Sequence, residues 1–69
     1  LPEECVLIGE NGRVEGDANC DDDATRRVER GPIPEDSPGQ RCPPGKEKVT
    51  TRNELEFYCL FPSKQAGNS

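Results

Sequence analysis

Apolar positions in this chain fall in one short run near the start and in alternating stretches further on, and nowhere recur convincingly at helical spacing. Two stretches carry most of the pattern. The first is Cys5-Val6-Leu7-Ile8-Gly9, which runs into Glu10-Asn11-Gly12 and resumes at Val14. Asn11 and Gly12 both tolerate positive φ, as a type I′ hairpin turn requires. Centring the turn there predicts Gly9 opposite Val14, Leu7 opposite Gly16 and Cys5 opposite Ala18. Cys20 then lies on the sheet face of Cys5 but diagonally displaced. A bond between the two would be strained, so each is expected to reach another segment.

The second stretch is Lys46 to Leu60, read as another hairpin. Leu55, Phe57, Cys59 and Phe61 alternate cleanly. A three-residue loop at Arg52-Asn53-Glu54 places Val49 opposite Phe57. A two-residue loop would place Lys48 there, so burial of one face favours the longer loop. Between the hairpins, Thr25 to Arg30 alternates weakly around Val28 and reads as a short edge strand, whose charges suit an edge. Gly31 to Gly45 holds five of the seven prolines and predicts an ordered-coil or polyproline-like connection. The expected fold is a small all-β, disulfide-stapled module over residues 1–61, with two hairpins, a short edge strand and a long proline-rich loop. A polar C-terminal tail, 62–69, follows.

Cysteine changes this picture most. Cys5, Cys20, Cys42 and Cys59 contain no Cys-x-x-Cys pair, so neither a zinc site nor a thioredoxin-type motif is indicated. Two disulfides are the natural reading, and these persist in oxidising compartments. Leu, Ile, Val and Phe together number only twelve, a thin core for 69 residues. The cross-links are therefore expected to be needed for folding. Of the three connectivities, the hairpin registers favour Cys5–Cys42 with Cys20–Cys59. A secreted module is expected, with Leu1 at or near a mature N-terminus after cleavage. The net charge of −5 disfavours nucleic acid and anionic membranes. No stretch approaches the ~18 apolar residues of a membrane span.

Candidate chemistry is sparse. The chain has no histidine. Its carboxylates are abundant, but so small a core offers no deep pocket to tune them, so an enzyme is not expected. No cofactor is expected either. Asp17, Asp21, Asp22 and Asp23 raise the question of calcium, but EF-hand spacing is absent. A solvated acidic loop is favoured, with a basic cytokine as its partner in an alternative, chemokine-binding reading. Arg41 beside Cys42 suggests the bait of a serine-protease inhibitor on a proline-stiffened loop. The binding residues expected to matter most are Arg26, Arg27, Arg30, Ile33 and Pro34. Arginine in a desolvated contact carries large energies, whereas rim carboxylates mostly set association rates.

Cys5-Val6-x-x-Gly9, followed by Gly16 and a cysteine after an acidic segment, resembles the opening subdomain of von Willebrand factor type C modules. The chain looks especially like the single-domain versions secreted by arthropods. The family's clustered Cys-x-x-Cys-x-Cys and Cys-Cys-Pro-x-Cys groups are missing, so its disulfide map does not carry over. With Pro2-Glu3-Glu4-Cys5 at one end and Phe57-Tyr58-Cys59 near the other, the whole chain resembles tick salivary complement inhibitors of the CirpT type. That resemblance implies a compact domain that binds complement component five and blocks its activation by the convertase. The expected function is accordingly steric inhibition of a host plasma protein by a module that is monomeric when free.

Overall fold

The computed structural model describes residues 4–39 and 41–62. Most of the expected 62–69 tail therefore lies outside the described residues. Five strands form, β1 (Cys5–Ile8), β2 (Val14–Ala18), β3 (Thr25–Pro34), β4 (Glu47–Thr50) and β5 (Glu56–Leu60), and there is no helix among the described residues. They make one antiparallel sheet in the order β2-β1-β3-β5-β4. The all-β, two-hairpin architecture is as the alternation predicts.

The β1–β2 register places Leu7 opposite Gly16 and Cys5 opposite Ala18, as expected, but Ile8 rather than Gly9 opposes Val14. The turn explains the difference. Gly12 N–H donates to the Gly9 carbonyl at 2.9 Å, and Gly9 N–H donates to the Arg13 carbonyl at 2.9 Å. Of the two residues expected at positive φ, only Gly12 is there, at 81°. The loop is thus three residues long, a type I turn closed by a left-handed glycine, and not a type I′ turn.

The β4–β5 register also differs by one. Thr50 opposes Phe57 and Val49 opposes Tyr58. Thr51 N–H donates to the Glu56 carbonyl at 2.9 Å, which leaves Arg52 to Leu55 as the loop. The expectation rested on a single buried face. In fact Val49 and Leu60 are buried on one face of this ladder, and Phe57 and Cys59 on the other. The register is set by both.

β3 departs furthest from expectation. It is far longer than the expected edge strand and lies at the centre of the sheet. Its first half pairs with β1, through Thr25, Arg26 and Arg27. Its second half pairs with β5, where Val28 opposes Leu60, Arg30 opposes Cys59 and Ile33 opposes Phe57. The register slips between Val28 and Arg30 and again between Arg30 and Ile33. Prolines are tolerated in a strand at such irregularities. Pro32 falls within the second slip, where no ladder partner needs its missing N–H, and Pro34 ends the strand. The strand therefore runs into what was expected to be coil.

The sheet curls until its two edge strands touch. Val14 at the start of β2 bridges Thr51 just beyond β4, and Arg52 N–H donates to the Val14 carbonyl at 3.1 Å. Ion pairs Arg13–Glu54 and Arg52–Glu15 (the latter at 3.1 Å) flank the contact. Inside the curl lies the core, Val6, Val14, Val49 and Leu60, with Ile8, Val28 and Tyr58 packed against it. Exposed ion pairs of this kind contribute at most about 1 kcal/mol. Apolar burial inside the curl stabilises the closure more than they do.

The disulfides are Cys5–Cys20 and Cys42–Cys59, which corrects the expected Cys5–Cys42 and Cys20–Cys59. The strain argument assumed that Cys20 continues the ladder. β2 instead ends at Ala18, and Asn19 starts a turn in which its carbonyl accepts from Asp22 N–H and its side chain accepts from Asp21 N–H. Cys20 thereby leaves the strand and swings back over Cys5. The second bond ties the proline-rich segment to the outer side of β5.

Each bond closes a loop of similar size, with sequence separations of 15 and 17, so each restricts the unfolded chain by roughly 3 kcal/mol. Their buried members differ modestly, Cys59 at 0% exposed against Cys5 at 7%, while Cys42 and Cys20 are both half-buried. Replacing Cys42 and Cys59 by alanine should therefore cost more in urea unfolding than replacing Cys5 and Cys20. An equal or reversed order would contradict this assignment of the core.

Candidate functional site

Curling gives the sheet an inner face, around Val6 and Leu60, and an outer face. The two register slips in β3 decide which residues lie on the outer one. Directly opposed residues of an antiparallel pair share a face. Arg27 opposes Cys5, Arg30 opposes Cys59 and Ile33 opposes Phe57. All three thus fall on the outer face although they are three residues apart, a spacing that a regular strand would alternate.

Aromatic and basic side chains gather on this face. The Arg27 guanidinium lies 4.3 Å from the centroid of the Phe61 ring, and Lys46 Nζ lies 5.0 Å from it. Lys48 Nζ lies 4.6 Å from the centroid of Phe57. The proline-rich segment folds back over part of the same surface. Glu35 accepts from Thr50 Oγ1 at 2.9 Å and pairs with Lys48 at 3.4 Å. Arg41, Lys48, Ser37 and Gly39 border a shallow hollow of about 470 Å3. Arg27, Arg30, Arg41, Lys46 and Lys48 make this a cationic surface on a chain whose net charge is −5.

The five expected binding residues separate here. Arg27, Arg30 and Ile33 come together in the row just described. Arg26 does not, since it opposes Val6 and points the other way. It donates to the Phe61 carbonyl at 2.6 Å and pairs with Glu47 at 2.8 Å, with a side chain only 19% exposed. It ties strands together. Pro34 opposes Glu56 at the end of β3 and is exposed. Sequence reasoning missed Lys46, Lys48 and Phe61. The alternation through Phe57, Cys59 and Phe61 was the available signal for the last.

The alternative sites fare differently. The Arg41 carbonyl accepts from the Arg30 guanidinium. A protease-inhibitor bait needs that oxygen free for an oxyanion hole, so this geometry does not favour the role. In the acidic loop, Asp22 caps its own turn by accepting from Ala24 N–H at 3.2 Å and from Thr25 Oγ1 at 2.7 Å. Among the described residues no three acidic or cysteine side chains gather as metal ligands.

A second concavity, about 460 Å3, opens on the inner side where the β1–β2 and β3–β5 ladders part. Val6, Ala18, Val28 and Pro32 line it, with Glu4, Asp17 and Tyr58. Gly31, also in its lining, lets Tyr58 pack close against β3. A Cβ there would stand 2.8 Å from Tyr58 Cδ2 and 2.9 Å from Tyr58 Cα. Burial pushes the Tyr58 hydroxyl above its ordinary pKa of 10.0, and the carboxylates of Asp17, Glu56 and Glu4 repel the phenolate and push it further.

Tyr58 is the sole tyrosine, so its phenolate can be followed by ultraviolet absorbance alone. It should titrate above free tyrosine, and Asp17→Asn should bring it down. A raised folded-state pKa means that this contribution to stability is complete below the unfolded value near 10.0 and is lost as pH rises through the folded value. Titration of wild-type Tyr58 at or below the free value would contradict the placement of Asp17 beside it.

Comparison with protein-family models, with curated proteins and with solved structures finds no match. The chemistry of the two faces is what bears on function.

Proposed function

We propose that this domain is a secreted binding module that inhibits a host plasma protein stoichiometrically, by covering a docking surface. Complement component five is the proposed partner, on the resemblance to CirpT-type inhibitors. The observation that carries the reading is the outer-face row Arg27, Arg30 and Ile33, flanked by Lys46 and Phe61 on a disulfide-tied sheet. Such a surface suits binding for two reasons. Arginine over an aromatic ring offers both charge and apolar area, the residue types that dominate interface energies. A rigid scaffold also lowers the ordering cost, about 0.5–1.5 kcal/mol for each side chain that would otherwise be immobilised.

The partner surface is expected to present carboxylates to Arg27 and Arg30. Arg26 drops out of the contact set, because it lies on the other face with a side chain only 19% exposed, whereas Arg27 and Arg30 are exposed. Asp21 and Asp23 belong to the rim, where charge tunes association more than lifetime.

Direct binding to complement component five and a haemolysis assay test this together. Arg27→Ala and Arg30→Ala should each weaken binding by roughly 30-fold, about 2 kcal/mol, and raise the dose needed for inhibition in proportion. Arg26→Ala should lower thermal stability more than affinity. Absence of wild-type binding to complement component five would reject the partner. Stoichiometric block of a trypsin-like protease, lost in Arg41→Ala, would replace the reading with a protease inhibitor. Binding to a chemokine that vanishes at modest salt would replace it with a decoy.

A further inference from the structure

We propose that the inner hollow is a second recognition site, and that it receives an arginine side chain presented by a partner protein. It lies on the opposite side of the sheet from Arg27, Arg30 and Ile33 and does not depend on the role given to them.

Charge supplies the first reason. Glu15, Glu35, Glu47 and Glu54 each have a basic partner within the chain. Glu4 and Asp17, which line the hollow, have none among the described residues, and neither does the hydroxyl of Tyr58 have a hydrogen-bond partner there. Two carboxylates and a phenol line one concavity, and no basic side chain among the described residues pairs with either carboxylate. Burial is the larger cause of the raised Tyr58 pKa, and Asp17 and Glu4 add to it the negative field that a cation would meet.

Shape supplies the second. Ala18, Val28 and Pro32 give the hollow apolar surface, over the fully buried Val6. A long cationic side chain lays its methylenes on such a surface and keeps its charged head at the polar rim. A planar guanidinium pairs with carboxylates through two parallel hydrogen bonds and stacks on an aromatic ring, and Glu4, Asp17 and Tyr58 offer both partners. An ammonium uses the charge but not the plane.

The mouth of the hollow decides between a free ligand and a presented one. Small-molecule sites bury roughly 70–90% of their ligand. This hollow, at the start of β1, the end of β2 and the Gly31–Pro32 segment, is open rather than enclosed and covers less than that. A side chain delivered by a protein surface is covered from above by its own surroundings, so the open side becomes part of an interface.

The test uses the folded, oxidised domain labelled with nitrogen-15. Nα-acetyl-arginine N-methylamide is titrated to about 50 mM, with the norleucine and lysine analogues alongside, since a lone side chain binds in the millimolar range at best. Amide shifts should concentrate at Val6, Ala18, Val28, Gly31 and Tyr58 and approach saturation with arginine. Norleucine, which has the stem without the charge, should leave them unmoved, and lysine should bind several-fold more weakly. Glu4→Gln combined with Asp17→Asn should weaken the arginine response at least tenfold. Tyr58→Phe, which keeps the ring, should retain most of it. Three outcomes would overturn the proposal. These are no localised shift with arginine, equal response to lysine, and shifts that fall as strongly on Asp21 to Asp23 as on the hollow.

Discussion

Everything distinctive about this domain follows from β3 being shared. One ten-residue strand completes the ladder of the first hairpin with its early residues and that of the second with its later ones. A regular strand doing both would hold the two hairpins in one open sheet. Two register slips bend β3 instead, as bulges do by adding local twist. The bend lets Val14 meet Thr51 and encloses Val6, Val49 and Leu60. So small a core is buried only because the sheet folds over it. Each hairpin unit then keeps its own disulfide, one between Cys5 and Cys20 and one from β5 to the proline-rich segment.

The same slips create both candidate surfaces. They move Arg30 and Ile33 to the face of Arg27, which turns a spacing of three into a row. They also part the ladders near Gly31 and Pro32, where the hollow opens. The two faces carry opposite charge. Arginine and lysine over Phe57 and Phe61 make one side cationic, and Glu4 and Asp17 beside Tyr58 make the other anionic. A module of this kind can engage two differently charged patches of a partner, or two partners, without changing shape.

The hairpins were legible in the sequence because period-two alternation and turn residues are local signals. The pairing of Leu7 with Gly16 and of Cys5 with Ala18 followed from Asn11-Gly12 even though the turn type did not. β3 was half legible. Weak alternation around Val28 marked its start, but Pro32 and Pro34 argued for coil, and no local pattern reveals a register slip that excuses a proline. The disulfides were misjudged for a related reason. Cys20 was placed by extending a ladder that Asn19 in fact ends with a turn. Of the binding surface, Arg27, Arg30 and Ile33 were named from their chemistry, but that they share a face depends on tertiary geometry. Arg26 was grouped with them for the same chemistry, and the fold uses it as a tie.

Cross-strand contacts between β3 and β5 test the account most directly. Backbone nuclear Overhauser effects in the oxidised domain should connect Val28 with Leu60, Arg30 with Cys59 and Ile33 with Phe57. An unslipped ladder from the same starting pair would instead connect Arg30 with Tyr58 and Pro32 with Glu56, and would turn Arg30 to the inner face. Observation of that second set would remove the row of Arg27, Arg30 and Ile33, and with it the physical basis for both surfaces.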